Sequence, residues 1–448
     1  MRLRLYHVAL FLSLFTLAGC AEVVNNVTAP TPTPQPTTAT NVYVSEDPQS
    51  TPVQNVVYAL NGASGKLLWH YDSSEGEGYL PMIDHDVLYL TSSTSVIALN
   101  TQNGKQLWNY AEPGNPSILG ILNGIIYVGD FYPGQDVGPG ASASPPGLIY
   151  GLNASDGSVR WSYKATDRLL SGKLLGNVIY VTAIQGDCTC SAPPASTFAL
   201  NTTDGSVLWK IDTHTAEFGP DLAANGLIYG AESIPEGPAG WLQTYHASNG
   251  SAGWRFPATE ATALNIVGID SNAIYLDSND GDFINNPDVF YALNLTTGAV
   301  LWRSEVKGMT QANISLLDSV IYIGSSDGSV VALNATDGKQ AWRAQLGQSG
   351  PPIATATFVA AAVGGSVYLV YPQGFAALKV SDGSIEWHYT AVGIMRIATV
   401  VNGVVYASSN DVDTVHTGHN KIYALNATDG SLNWRYNAPT MFFAPVVG

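Results

Sequence analysis

One phrase constrains this chain more than any other. Residues 330–342 read Val-Val-Ala-Leu-Asn-Ala-Thr-Asp-Gly-Lys-Gln-Ala-Trp. The frame apolar–Leu–Asn–x–x–x–Gly–x–x–x–Trp recurs along the sequence. It ends at Trp69, Trp108, Trp161, Trp209, Trp302, Trp342 and Trp434, with looser copies ending at Trp254 and Trp387. These nine copies take all but one of the tryptophans, and only Trp241 lies outside the frame. Successive copies are 39 to 53 residues apart. A period of that size marks a propeller or another repeat array.

Each part of the phrase has a physical task. Residues 330–333 form a β-prone run. Asn334 through Gly338 suits a hairpin loop, in which glycine takes the positive φ that other residues resist. The closing tryptophan is a large apolar body that one small sheet cannot cover. It must be buried by a neighbouring repeat, so the nine are expected to be structural staples, not ligand sites. Within residues 311–345 the pattern predicts four strands, at 312–317, 320–324, 330–333 and 339–346. The second carries an apolar–Tyr–apolar signature that places Tyr89, Tyr127, Tyr180, Tyr229, Tyr275, Tyr322, Tyr368 and Tyr406 in packing positions. Four antiparallel strands repeated radially is the propeller solution to exposed sheet edges. The expected fold is therefore all-β, a closed propeller over residues 41–448 with eight or nine four-stranded blades. Strands near residues 42–44 and 442–447 are expected to pair and close the ring.

The N-terminus is expected to lie outside this fold. Arg2 and Arg4 precede an apolar run over residues 8–17 that is too short to span a bilayer permanently. The ending Leu17-Ala18-Gly19-Cys20 resembles a bacterial lipobox, which implies a signal peptide over 1–19 and lipidation of Cys20. The alternative is an ordinary signal in which a cysteine falls at that place. Residues 20–40 are rich in Pro and Thr and make a tether, able to reach about 60 Å when extended. The expected localisation is extracytoplasmic, with the lipid as the only membrane anchor. The formal net charge is −17. Such a surface repels nucleic acid and anionic head groups, so neither is expected as a partner.

Strand parity separates two faces. In an up-down-up-down blade the second-to-third loop and the blade-to-blade connection emerge together, and the Asn-x-x-x-Gly hairpins emerge opposite. The long insertions, at 131–147, 184–196, 231–243, 277–289 and 408–421, all fall in second-to-third loops. Variable loops on a rigid scaffold are where binding concentrates. On that face lie Trp241 as an aromatic anchor and Asp411, His416 and His419 as polar candidates. Cys188 and Cys190 form a possible local disulfide that clips a loop. Asp277, Asn279, Asp280 and Asp282 gather oxygen ligands that calcium favours, but the glycine comes one position early and no glutamate closes the loop, so a solvated acidic turn is the favoured reading and a calcium loop the alternative.

The repeated Leu-Asn-Ala-Thr-Asp-Gly-x-x-x-Trp phrase, preceded by Val-Ile-Tyr-Ile-Gly at 320–324, resembles the pyrroloquinoline quinone (PQQ) repeat. The resemblance covers about residues 41–448 and implies a propeller. Two branches of the family imply different functions. One comprises quinoprotein alcohol dehydrogenases, with PQQ and calcium on the propeller axis. The other is non-enzymatic and includes the lipoprotein of the outer-membrane β-barrel assembly machinery. The enzyme branch stacks its quinone between a tryptophan and a disulfide of adjacent cysteines, whereas Cys188 and Cys190 are separated by Thr189. No set matching its calcium ligands or catalytic aspartate is evident. The resemblance thus favours a monomeric, lipid-anchored platform for a protein or envelope component, with no cofactor expected. A PQQ- and calcium-dependent oxidoreductase, or a ligand-sensing propeller, is the alternative.

Overall fold

The computed structural model describes residues 40–45, 56–72, 81–111, 114, 116–130, 147–166, 168–184, 195–213, 217–233, 241–257, 263–279, 287–307, 313–325, 328–346, 357–371, 373–391, 393–410, 420–438 and 445–448. Among them there is no helix, and the strands form nine four-stranded antiparallel sheets. The number of blades is nine. Blades 2 to 9 are each continuous in sequence: 82–111, 116–164, 168–213, 217–257, 263–306, 313–345, 358–390 and 394–438. In each of these the four strands pair in chain order. The first strands of neighbouring blades touch one another, as 313–317 touches 358–363 and 358–363 touches 394–401, so the first strand of each blade is innermost.

Blade 1 is composite. Its inner strand is Val446–Val447, and its other three are Asn41–Ser45, Val56–Asn61 and Leu67–Asp72. Val42 pairs with Val447 and Tyr43 with Val446. Backbone bonds from Asn41 N to Gly448 O (2.8 Å) and from Gly448 N to Asn41 O (3.1 Å) complete the seam. The N- and C-terminal strands thus close the ring, as expected. Of the terminal strand expected over 442–447, residues 442–444 lie outside the described residues.

The blades are joined by the repeat itself. Every repeat tryptophan sits on an outer strand and lays its six-membered ring against the hairpin glycine of the next blade. Trp69 meets Gly104, Trp161 meets Gly205, Trp342 meets Gly383, and Trp434 returns to Gly65 of blade 1. Those glycines have φ near +70°, so the position excludes a side chain both by backbone conformation and by contact. Each indole Nε1–H donates to a backbone carbonyl of that same hairpin. The acceptors run from Thr101 for Trp69 (2.9 Å) through Val380 for Trp342 (2.8 Å) to Gly62 for Trp434 (2.7 Å). All nine indoles make this bond. The cover demanded by an isolated sheet is therefore supplied by its neighbour, around a closed circle.

Two further features fix each indole. The third strand places a small residue opposite it: Ala59 faces Trp69, Gly151 faces Trp161 and Ala424 faces Trp434. Beside it stands the second-strand tyrosine, with ring centroids 5.9 Å apart for Tyr89 and Trp108 and 6.2 Å for Tyr406 and Trp434. Tyr43, which the sequence reading left out, fills this role in blade 1, 5.9 Å from Trp69. Its Val-Tyr-Val surroundings carry the same signature. Burial pushes the phenols of Tyr89 and Tyr322 up to about 12, so these two remain protonated packing groups.

The hairpins explain the Asn and Asp of the phrase. Asn100 Oδ1 accepts from the amides of Gln102 (3.0 Å) and Asn103 (3.2 Å), and Gly338 N donates to Asn334 O (2.8 Å). The aspartate before the glycine turns back on the residue after it. Asp204 Oδ1 accepts from the Ser206 hydroxyl (2.7 Å) and amide (3.0 Å), which hold its carboxyl below the ordinary range. The side-chain oxygens thus satisfy amides that a tight turn leaves without strand partners.

Candidate binding face

The two ends of each blade differ in composition. Near the hairpins the second and third strands are apolar, as in Ile321, Tyr322, Ala332 and Leu333, all buried. Toward the second-to-third connections the same strands become polar yet stay buried: Thr91 and Ser95 in blade 2, Ser196 and Thr197 in blade 4, Ser408 and Asn410 in blade 9. Hydroxyls there bond within their blade or across to the next one. Ser92 Oγ and Ser95 Oγ are 2.8 Å apart, Ser409 Oγ lies 3.1 Å from the Tyr423 hydroxyl, and Thr182 donates to Phe218 O (2.6 Å).

This polar zone shortens four of the five expected insertions. Second strands continue to Ile184, Ser233, Asn279 and Asn410, and third strands begin at Ala195, Trp241, Asp288 and Asn420. Residues such as Ser278 and Ser409 read as loop in the sequence because they lack apolar alternation. In the fold they extend strands whose faces are covered by adjacent blades.

Asp277 and Asn279 therefore belong to a strand of blade 6, not to a loop. Asp277 is 5% exposed and accepts from Asn265 Nδ2 of the adjoining inner strand (3.2 Å). Asp288, on the third strand, is also buried. Asp280 and Asp282 lie outside the described residues, as do Cys20, Cys188, Cys190, Asp411, His416 and His419. Among the described residues no group of three or more His, Cys, Asp or Glu could hold a metal ion. On the inner strands, Asp221 of blade 5 is pushed up by burial, with Lys173 of blade 4 acting in the opposite direction.

Trp241 opens the third strand of blade 5, directly after the 234–240 connection, and is half-buried. The Arg255 guanidinium lies over its ring, 5.3 Å from the centroid. The sequence singled out the indole; it held no signal for the arginine, which becomes its neighbour only through pairing of the third and outer strands.

The tryptophan that stacks the quinone in the enzyme branch has no counterpart on the inner strands. All ten tryptophans are described, nine donate to a neighbouring hairpin, and Trp241, under Arg255, stands on the third strand of its blade. No indole stands on an inner strand to stack a ring on the axis.

The sequence matches the family described as outer membrane protein assembly factor BamB in three overlapping stretches, residues 30–168, 129–254 and 238–399. The chain belongs to this family. Outer membrane protein assembly factor BamB from Yersinia pestis is 32% identical over 133 residues, covering 28% of this chain and 30% of that protein. The protein of the same description from Nitrosomonas eutropha is 27% identical over 181 residues, 40% of each. The chain thus matches less than half the length of either relative. Among solved structures, the crystal structure of the eukaryotic initiation factor superposes with a TM-score of 0.60 over 91% of this chain and 98% of that one, at 10% identity. That likeness shows the fold alone.

Proposed function

We propose that the protein is a non-enzymatic, lipid-anchored platform outside the cytoplasm, whose loop-bearing face binds a protein of the cell envelope in the manner of an assembly scaffold. Membership of the assembly-factor family supports this reading. The observation that carries it is the division of labour between the faces. On one face each of the nine third-to-outer hairpins is a short turn that receives an indole from the preceding blade, leaving little freedom to vary. The connections of variable length, and the polar strand ends that lead to them, are on the other. A rigid ring with one such face is suited to holding partners, and the lipid at Cys20 would keep it at a membrane.

Blade 2 supplies the control. Its second and third strands are joined by only Ser92, Ser93 and Thr94. Replacing residues 131–146 and 185–194 by this three-residue connection is expected to abolish capture of envelope proteins by the immobilised chain while leaving its thermal unfolding nearly unchanged. Capture that survives both replacements would show that binding does not use this face.

A further inference from the structure

The outer strands carry an arginine directly after the repeat tryptophan in blades 5, 6, 7 and 9: Arg255, Arg303, Arg343 and Arg435. Two of these are occupied. Arg303 lies 6.0 Å from the Tyr291 ring centroid and is neutralised by Glu305 at 2.7 Å. Arg343 donates to Lys307 O (3.0 Å) and Ser329 Oγ (3.1 Å). In blade 5 the place of Glu305 is taken by Pro257, and that of Tyr291 by Gln243. Arg255 instead covers Trp241 and is exposed; among the described side chains, which do not include that of Glu232 across the strand pair from Trp241, no carboxylate lies at ion-pair distance.

Register fixes where this pair faces. Phe256 packs on Tyr291 of blade 6, with ring centroids 5.1 Å apart. Successive strand residues face opposite ways, so Arg255 faces blade 4, and so does Trp241, which pairs with Pro257. The pair therefore stands at the cleft between blades 4 and 5, at the loop-bearing end. Gln243 beneath it is buried and ties its Nε2 to Thr244 O (2.7 Å), which steadies the floor.

We infer that Arg255 and Trp241 form a carboxylate-recognition site for the partner protein, a refinement that rests on the platform reading above. A guanidinium held over an indole face by cation–π attraction retains N–H groups for a ligand, and these match the two oxygens of a carboxylate. The remaining indole surface takes an apolar side chain next to the acidic one. The ligand is thus an Asp or Glu with an aliphatic neighbour in an accessible segment. Phosphate fits less well: it is met by clusters of arginine, and a chain of net charge −17 repels a dianion more strongly than a monoanion.

The test uses the full chain labelled with 5-fluorotryptophan. The Trp241 fluorine resonance is assigned by its loss in Trp241→Phe. The probes are acetyl-Leu-Glu-Leu-amide, its Gln counterpart and its phosphoserine counterpart. The Glu peptide is expected to shift the Trp241 resonance saturably. The Gln peptide, and the Arg255→Gln protein with the Glu peptide, are expected to bind about tenfold more weakly, the size of a lost charge-assisted pair. Arg255→Lys, which keeps the charge and loses the fork, should fall between. Equal binding of the Glu and Gln peptides, tighter binding of the phosphoserine peptide, or no saturable shift would each overturn the site. The loop replacements leave residues 241 and 255 in place. A failed titration together with capture lost on loop replacement therefore removes this site and spares the platform; capture that survives loop replacement removes the platform reading itself.

Discussion

Trp434→Ala should lower the free energy of unfolding by about 3–5 kcal/mol, the cost of truncating a buried indole. Trp434 is 8% exposed and forms the last link of the circle. Its ring covers Gly65 of blade 1, its Nε1–H donates to Gly62 O at 2.7 Å, and the Tyr406 hydroxyl reaches the same oxygen at 3.3 Å. Chain connectivity crosses this seam only through the terminal strand. Apart from the terminal strand Val446–Val447, blade 1 is tied to blade 9 only by side chains and non-local bonds. Removing the indole leaves a cavity at a junction whose second, third and outer strands of blade 1 are held to blade 9 only by non-covalent contacts. Trp434→Phe keeps most of the apolar volume and loses the N–H bond, so it should cost about 1–2 kcal/mol. Urea titration followed by tyrosine and tryptophan emission, with attention to the first transition, measures both. A loss below about 1 kcal/mol for the alanine variant would mean that the ring does not depend on this contact.

The second large effect separates backbone conformation from packing at glycine. Gly383 has φ +70°, and a Cβ there would lie 2.5 Å from Trp342 Cε3. Gly403 has nearly the same φ, +74°, but a Cβ would meet nothing within 4 Å. Gly403→Ala should therefore cost only the left-handed penalty, about 1–2 kcal/mol. Gly383→Ala adds an overlap with a ring wedged between two blades, which costs about 1–3 kcal/mol more. The indole cannot retreat, because its N–H is held by Val380 O and Ala332 stands opposite it on the third strand. Equilibrium denaturation of the two variants side by side gives the difference. Equal losses would show that the hairpin glycine serves the turn alone and not the joint between blades.

Most of the architecture was legible because its cause is repeated. A tryptophan needs cover and a hairpin needs a residue that accepts positive φ, so both recur in phase and both can be read. The strands expected in residues 311–345 agree with those observed to within a residue or so at each end. The number of blades was harder. Nine tryptophans were visible, but the inner strands carry no signature. Met82–Asp84 is three residues long and Val446–Val447 only two, and their backbones are held by ladder bonds to the second strand of the same blade, whatever their side chains. The loop-bearing face was legible by parity, though not in its detail. Strand ends such as Ser408-Ser409-Asn410 read as loop because burial there comes from adjacent blades, which sequence periodicity does not register. Arg255 was invisible for a related reason. An exposed arginine on an outer strand is ordinary until strand pairing brings it over an indole fourteen positions earlier.

Hydrogen exchange at the indole nitrogens tests the closed ring most directly. Ten indole N–H resonances are expected in the ¹⁵N spectrum. Nine belong to indoles that donate to the next blade and should be strongly protected, Trp434 at the seam as well as Trp69 at the start. The tenth, removed by Trp241→Phe, should exchange first. Rapid exchange at Trp434 together with protection elsewhere would mean an open arc of blades. Rapid exchange at several of the nine would contradict the ring outright.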